Sequence, residues 1–265
     1  MTRAGTFVSG GRSLAAQVFS PKAARGTVIV CHGYYDHAGV WKHAIRHLVR
    51  DGYTVAVYDQ PGHGLSPGTR ASIGDFGEYT AALGDFVAIC TNNLPPPYHL
   101  VAHSMGCAAA IDYLQRTPES PLARVVLTAP LVRSVAWNLS GFGRTVSRSF
   151  LDSVPRKFRR NSSDRTFLAF HARDPLQTRT VPMQWVSAHR AWVERLLETA
   201  PCRTPVKIIQ GTADTTVSWR YNLRLLKKKF PAADITEIKK AKHQLINESP
   251  ELRATVLTLI SKALT

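Results

Sequence analysis

The residues best suited to chemistry lie in a short motif around a serine. Residues 101–106 (VAHSMG) follow an apolar run and precede a stretch rich in small residues. A serine on a turn between a strand and a helix is held in a strained, exposed position, from which its hydroxyl can attack a carbonyl carbon. Ala102 and Gly106 stand where so tight a turn requires small residues. The motif predicts Ser104 as a nucleophile, with a helix N-cap serine as the structural alternative.

A candidate acid and a candidate base follow later in the chain. Asp214 ends residues 210–214 (QGTAD) after an apolar run, and His243 lies in residues 241–244 (AKHQ) beyond the next one. Serine is a poor nucleophile at neutral pH, so His243 would take its proton and Asp214 would orient and stabilise the imidazole. The order Ser, Asp, His is a known arrangement of such groups. We therefore predict a catalytic triad of Ser104, Asp214 and His243.

A third motif, residues 31–34 (CHGY), ends an earlier apolar run. Acyl transfer places negative charge on the carbonyl oxygen, and preorganised backbone N–H groups stabilise that charge. A His-Gly turn allows backbone amides to point toward the nucleophile. The amides of Tyr34 and Met105 are the predicted oxyanion donors, and a simple strand-ending turn is the alternative.

Other polar residues near predicted strand ends receive structural interpretations. His63 and Ser66 lie in a Pro/Gly-rich loop that lacks the strand-to-helix turn, so we interpret this loop as a structural border of the site. Asp36, His37 and Asp174 are candidate substrate-side groups, with structural hydrogen bonding as the favoured interpretation. The remaining histidines fit no metal-ligand spacing, and no phosphate loop or dinucleotide fingerprint is present. We expect no metal and no organic cofactor.

Positioning these residues requires a sheet whose strands alternate with helices. A hairpin is predicted over 6–9 and 14–19, and later strands and helices follow in turn. The later strands are predicted at 27–31, 54–58, 98–102, 125–129, 206–210 and 235–238, and the helices at 41–50, 75–91, 105–116, 219–230 and 250–264. This alternation predicts an α/β fold with a mostly parallel central sheet and helices on both faces.

The regular alternation is interrupted after Pro130 and resumes near Pro205. Residues 131–203 are therefore predicted to form a lid, or cap, inserted into a core made of 1–130 and 204–265. Such an insertion would lie over the carboxyl edge of the sheet, where ligands bind in open α/β folds. The substrate-binding residues are expected within this lid, although the sequence does not single them out.

The composition restricts cellular location and partners. The 265 residues include 34 Lys and Arg against 18 Asp and Glu, a net charge of +16 that favours anionic surfaces. Four widely spaced cysteines suit free thiols in a reducing compartment. Neither a signal peptide nor a membrane-spanning run is recognisable. The expected location is the cytoplasm, with peripheral membrane binding as an open possibility, and the oligomeric state is undetermined.

Five motifs together resemble the monoacylglycerol lipase and lysophospholipase branch of the α/β-hydrolases. They are 32–41 (HGYYDHAGVW), 58–68 (YDQPGHGLSPG), 102–106 (AHSMG), 210–217 (QGTADTTV) and 241–248 (AKHQLINE). The resemblance implies the α/β-hydrolase fold and hydrolysis of a single-chain acyl ester through an acyl-enzyme. It also implies oxyanion donors at Tyr34 and Met105. Asp36 departs from the glutamate frequent in this family, and Ala102 from the usual glycine.

The predicted lid carries thirteen Lys and Arg against five Asp and Glu. Apolar residues are interleaved with these cations, namely Trp137, Leu139, Phe142, Phe150, Leu151 and Phe158. This pattern gives the hypothesis that the lid contacts anionic lipid and admits one acyl chain to a tunnel above Ser104. A merely solvated basic face is the alternative.

Competing functions share the fold or the charge. A serine aminopeptidase would need acidic residues in the lid to bind a free amino terminus, and this lid has few. Hydrolysis of small esters stays open, as does a silent protein that binds a small ligand, although an intact triad argues against the latter. Specific nucleic-acid binding is suggested only by net charge, because no reader motif is present.

Overall fold

The computed structural model describes residues 1–138 and 152–265. Its central element is an eight-stranded sheet. Its strands lie in the order β1-β2-β4-β3-β5-β6-β9-β10. They are β1 (Thr2–Ser9), β2 (Arg12–Phe19), β3 (Thr27–Cys31), β4 (Thr54–Tyr58), β5 (Tyr98–His103), β6 (Leu122–Thr128), β9 (Lys207–Gly211) and β10 (Asp234–Ile238). The β1–β2 and β2–β4 pairs are antiparallel, and every later pair is parallel.

Strands β3 and β4 show why the sheet is central. Each is a run of five residues, TVIVC and TVAVY, that is buried along its whole length. Short runs rich in β-branched residues and buried on both faces are typical of parallel strands covered by helices. Alternate side chains of β3 enter two separate hydrophobic clusters, Val28 and Val30 on one face and Ile29 and Cys31 on the other.

Helices cover both faces of this sheet, and the predicted fold class is confirmed. They are α1 (Lys42–Arg50), α2 (Gly77–Asn93), α3 (Met105–Arg116), α4 (Arg165–Arg173), α5 (Met183–Glu198), α6 (Trp219–Lys229) and α7 (Pro250–Leu264). Helices α1 and α7 share one hydrophobic cluster, whereas α2, α3, α5 and α6 contribute to the other. No helix within 1–138 or 152–265 is both long and apolar enough to cross a bilayer.

The segment 131–203 lies between β6 and β9, which are neighbours in the sheet, and we call it the β6–β9 insertion. Its described part contains α4, α5 and a short antiparallel hairpin of β7 (Ser153–Pro155) and β8 (Thr180–Pro182). Helix α5 buries Trp192 and Val193 in the cluster that also contains α2 and α3. The division into a core and a separate lid stays a prediction.

Candidate active site

Ser104 lies at the turn between β5 and α3, in a strained backbone conformation. Its φ is 51° and its ψ is −112°, values that non-glycine residues rarely adopt. Its side chain makes no capping hydrogen bond to α3. At Gly106, an added Cβ would collide with the carbonyl oxygens of Cys31 and His32. The chain therefore requires glycine two residues after the serine because β3 ends directly against α3.

Three side chains from separate loops meet at Ser104. The Ser104 hydroxyl donates to His243 Nε2 over 3.0 Å, and His243 Nδ1–H donates to Asp214 Oδ2 over 2.8 Å. All three residues are buried. Asp214 follows β9, His243 follows β10, and the two loops are joined by a hydrogen bond from Ala213 N to Ala241 O. The structure thus brings together the three residues predicted as a triad.

The carboxylate of Asp214 is held in its ionised form. Burial opposes its charge, but the adjacent His243 and the amides of Thr216 and Val217 outweigh that effect, so the pKa of Asp214 is lowered. Those amides donate to Oδ1 over 2.7 and 3.1 Å, and Gln210 Nε2 donates to Oδ2 over 3.1 Å. An anchored carboxylate fixes the orientation of the imidazole and stabilises its protonated form.

Of the predicted oxyanion donors, Tyr34 lies in the loop after β3 and Met105 is the first residue of α3, directly after Ser104. His32 fixes the loop after β3, because its Nδ1–H donates to Gly33 O over 2.8 Å and its Nε2 accepts from Gln60 N over 2.9 Å. In a trans peptide unit the carbonyl and the following N–H point in opposite directions. By holding the Gly33 carbonyl, His32 therefore also sets the direction of the Tyr34 N–H.

A cavity of about 490 Å³ opens above Ser104 and His243. Much of its wall comes from the β6–β9 insertion, and many of its lining residues are apolar, including Leu131, Val135, Ala136, Trp137, Val154, Val181, Met183, Trp185, Val186 and Val217. A larger surface groove of about 760 Å³ lies between α1 and α7, away from Ser104. The cavity at Ser104 is the one that combines reactive groups with an apolar wall, as substrate sites usually do.

The residues interpreted as structural or substrate-side groups fall into two sets. His63 and Ser66 bond to carbonyl oxygens within their own loop and make no contact with the triad. His37 Nε2–H donates to Asp174 Oδ2 over 2.8 Å, which ties the loop after β3 to the end of α4. Of the five, Asp36 alone lines the cavity.

Asp36 is a buried carboxylate close to Ser104. Gln244 Nε2 lies 3.3 and 3.2 Å from its two oxygens, and His171 Nε2 lies 3.9 Å from one of them. Burial opposes its ionisation, but the nearby histidines and the Gln244 hydrogen bond lower its pKa. Asp36 is therefore the charged acidic group of the cavity wall.

Sequence reasoning missed several residues that shape the site. His32 accepts a hydrogen bond from Gln60, which is distant in the chain, and Gln210 donates to Asp214 four residues later. Arg156 reaches the cavity from the insertion. The signal available for His32 and Gln210 was weak, since each lies within a strand-end motif whose functional role was assigned to other residues. No sequence pattern marks Arg156 among the many basic residues of the insertion.

The comparisons with known proteins decide the family. The model of the Hydrolase_4 family, described as serine aminopeptidase S33, matches residues 22–250. The chain belongs to this family. It is an α/β-hydrolase. The crystal structure of a monoacylglycerol lipase from Paleococcus ferrophilus is similar to it, with a TM-score of 0.80 and 24% sequence identity. The similarity covers 95% of this chain and 98% of that structure.

Curated relatives of this family member include monoglyceride lipases. A monoacylglycerol lipase of Mycolicibacterium smegmatis is 32% identical over 127 residues, which is 47% of this chain and 45% of that relative. The monoglyceride lipase of Rattus norvegicus is 28% identical over 264 residues, covering 90% of this chain and 80% of that protein. The matched segment thus spans less than half of the first relative's length. The predicted resemblance to the monoglyceride lipase branch is confirmed.

Proposed function

We propose that this protein is a serine hydrolase that cleaves carboxylic esters of single-chain acyl lipids. The observation that carries the proposal is the hydrogen-bonded relay from Ser104 through His243 to Asp214, placed at the base of a partly apolar cavity. A hydroxyl, an imidazole and a carboxylate in this geometry are the parts that nucleophilic acyl transfer needs.

In the proposed first half-reaction, Ser104 Oγ attacks the ester carbonyl carbon while its proton passes to His243 Nε2. The carbonyl oxygen becomes an oxyanion that accepts hydrogen bonds from the Tyr34 and Met105 amides. The tetrahedral intermediate then collapses and the bond to the alcohol oxygen breaks. That oxygen takes the proton from His243, the alcohol leaves, and the acyl group stays on Ser104.

The second half-reaction hydrolyses this acyl-enzyme. Water attacks the acyl carbon and gives a proton to His243 Nε2, and Ser104 Oγ recovers that proton as it leaves. A free fatty acid is released and the starting enzyme is restored. Throughout both steps Asp214 stays ionised, in line with its lowered pKa, and stabilises the imidazolium.

The cavity and the relatives support the proposed substrate class. An apolar wall that includes Leu131, Trp137 and Val186 suits an acyl chain, which gains free energy from leaving water. The curated relatives named monoacylglycerol lipase and monoglyceride lipase support an acyl glycerol type of ester. We therefore assign monoacylglycerols and lysophospholipids as the proposed substrate class.

The proposal is tested with a substrate panel and a nucleophile variant. Fatty-acid release is measured from monoacylglycerols, lysophospholipids, short p-nitrophenyl esters and aminoacyl amides, with Ser104→Ala as the matched protein. Hydrolysis of the long-chain lipids that is lost in the variant supports the assignment. A preference for short esters alone would leave the triad intact but remove the lipid assignment.

The family description raises a second candidate, a serine aminopeptidase. Binding of a protonated amino terminus requires carboxylates near the nucleophile. Among the described residues that line the cavity, Asp36 is the carboxylate present, and Gln244 and His171 already contact it. The cationic side chains on the insertion further disfavour a positively charged substrate. Aminoacyl amides in the panel decide this point.

We also propose that the insertion is a lid that contacts an anionic membrane surface. Phe158 and Phe170 are 41% and 46% exposed, and cations lie over both rings, Arg156 at 4.4 Å and Lys42 at 5.7 Å. Exposed aromatic residues among cations are typical of interfacial binding. Leu139, Phe142, Phe150 and Leu151, which belong to the same hypothesis, lie outside the described residues.

Liposome flotation tests this lid hypothesis, because it predicts stronger binding to anionic than to neutral vesicles. Equal binding to both would refute it. A cytoplasmic location with peripheral membrane contact remains the proposal, and it is supported by four cysteines that form no disulfide.

A further inference from the structure

Three positive side chains lie together at one part of the active-site cavity. Arg156, Lys157 and Arg159 follow β7 in the insertion, and all three line the cavity that contains Ser104. Lys157 and Arg159 are exposed, whereas Arg156 is only partly accessible. The question is which negative charge balances them.

Arg156 is held by neutral groups. Its Nη1 donates to Gln177 Oε1 over 2.8 Å and to the Thr178 carbonyl over 3.2 Å. Its guanidinium lies 3.7 Å from the ring centre of Tyr35 and 4.4 Å from that of Phe158. Burial lowers the pKa of Arg156, yet an arginine stays protonated in proteins. A fixed cation is therefore pre-positioned at the cavity wall.

In the described part of the chain, this group of cations has no carboxylate within ion-pair distance. Among the described residues, no ion pair within 4.0 Å involves Arg156, Lys157 or Arg159. The sequence of residues 139–151 contains no Asp and no Glu. A partly buried charge without a partner is costly. The missing countercharge is thus not available from that neighbouring segment of the chain.

The other charged groups of the cavity do not cancel the excess. Asp36 lines the cavity and its charge raises the pKa of Arg156, but it forms no ion pair within 4.0 Å with that arginine. Its carboxylate accepts from Gln244 and lies near His171. The pKa of His171 is lowered, chiefly by burial, which favours its neutral form at pH 7. Arg159 donates to the Thr215 carbonyl over 2.8 Å, which is again a neutral acceptor. Among the residues that the structure describes, this part of the cavity therefore contains three cations against one carboxylate.

Contacts group the polar residues of the wall and, separately, its indole rings, and Tyr34 and Tyr35 lie between the two groups. Asn161 and Gln244 are joined by a backbone hydrogen bond of 2.9 Å, and Gln244 contacts Asp36, which connects the polar residues. Trp137 and Trp185 both pack on His189, at 5.6 and 4.9 Å between ring centres, on the apolar wall. An ester bound at Ser104 would place its acyl chain on one wall and its alcohol portion on the other.

We infer that the cations Arg156, Lys157 and Arg159 bind an anionic group on the alcohol portion of the substrate. This inference rests on the proposed function and narrows it, since it selects lysophospholipids with a phosphate next to the glycerol over neutral monoacylglycerols. Arginine pairs with phosphate through two parallel hydrogen bonds, and lysine adds a mobile point charge. An uncharged glycerol has no anionic oxygen with which the arginines or the lysine could pair.

Kinetics with matched lipids test the inference. The wild-type protein is expected to hydrolyse lauroyl lysophosphatidic acid with a kcat/KM about tenfold above that for monolauroylglycerol, because charge-assisted hydrogen bonds are worth one order of magnitude or more. Arg156→Gln and Lys157→Gln should each lower the ratio of kcat/KM for the phosphate ester to kcat/KM for the neutral ester toward one. Arg156→Lys should keep part of the preference.

Arg160→Gln is the matched control. Arg160 lies in the same segment and is exposed, but it does not line the cavity. Arg160→Gln therefore removes the same charge as Arg156→Gln without changing the cavity wall. A structural role for Arg156 would lower activity on both esters equally. Lys157, which is exposed and in no ion pair of the described residues, separates the two explanations.

A ligand-binding measurement by thermal shift tests the inference without relying on turnover. Dodecyl phosphate should raise the Tm of Ser104→Ala protein more than dodecanol does, and Arg156→Gln should reduce that shift. Equal rates on both esters, or equal shifts with both ligands, would overturn the inference while lipid hydrolysis itself stood. An equal shift from inorganic phosphate alone would refute the lipid head group. Absence of all ester hydrolysis would contradict the proposed function instead.

Discussion

The carboxyl edge of the sheet and the β6–β9 insertion differ in where the countercharge of a buried or partly buried charged residue comes from. At the sheet edge, Asp214 accepts from two backbone amides, Gln210 and His243, and His243 becomes its countercharge when it takes the Ser104 proton. In the insertion, Arg156 rests on neutral acceptors and aromatic rings.

This difference indicates that the sheet edge carries out the chemical step and that the insertion selects the substrate. A compensated, buried relay is rigid and preorganised, which suits a bond-breaking step that is the same for every ester. Uncompensated cations suit a group that arrives with the substrate. We expect variants at the sheet edge to change kcat for all esters, and variants in the insertion to change the choice among esters.

The largest expected effect belongs to the sheet edge. Asp214→Asn keeps the size of the side chain but removes the charge that orients His243, so kcat should fall about 10⁴-fold on every ester. Steady-state kinetics on a short and a long ester check this. A loss confined to one ester would contradict the division between the two regions.

A smaller effect is expected at His32, which positions the Tyr34 amide rather than touching substrate. His32→Gln should lower kcat about ten- to a hundredfold with little change in KM, because an oxyanion donor acts mainly on the transition state. His63→Gln, in the neighbouring loop, is the control and should retain nearly full kcat. A raised KM at unchanged kcat in His32→Gln would assign it to ground-state binding instead.

The insertion should control chain length. Val186 lies on α5 and lines the cavity. Val186→Trp should lower kcat/KM for lauroyl esters by about tenfold, the typical cost of misfitting an apolar pocket, and spare acetyl esters. Leu197→Trp, on an exposed position of the same helix, is the matched control. Equal losses on both chain lengths would indicate misfolding rather than a filled acyl site.

The smallest expected effect concerns stability below neutral pH. Burial lowers the pKa of His189 and His63 to about 3 and of His103 to about 4, against about 6.5 in an unfolded chain. Between these values the unfolded state binds more protons, so stability should fall as pH decreases from 6.5 toward 4. Tm measured across this range should fall less steeply in His189→Phe, and an unchanged slope would contradict this account.

The sequence predicted the sheet edge well because local patterns define it. Strands β3 and β4 and helices α3 and α7 were predicted with the observed bounds, because short β-branched runs and longer helical stretches alternate along the sequence. Ser104, Asp214 and His243 each follow a strand, so their meeting was predictable from the parallel topology. The distances between them required the structure.

The insertion was far less predictable. In its described part, helices α4 and α5 and the β7–β8 hairpin were not anticipated, because α4 is short and each strand has only three residues. Arg156 belongs to a run of basic residues that looks uniform along the sequence. Its contact with Tyr35 joins residues that are distant in the chain, and such tertiary contacts leave no local pattern.

The most direct test of the central claim is the reactivity of Ser104 itself. Purified wild-type protein and Ser104→Ala are compared for fluorophosphonate labelling and for fatty-acid release from monolauroylglycerol and lauroyl lysophosphatidic acid. We predict labelling at Ser104 in the wild type, no labelling in the variant, and a loss of turnover on the order of a millionfold. Wild-type rates in Ser104→Ala would show that another group is the nucleophile, and the proposed mechanism would be wrong.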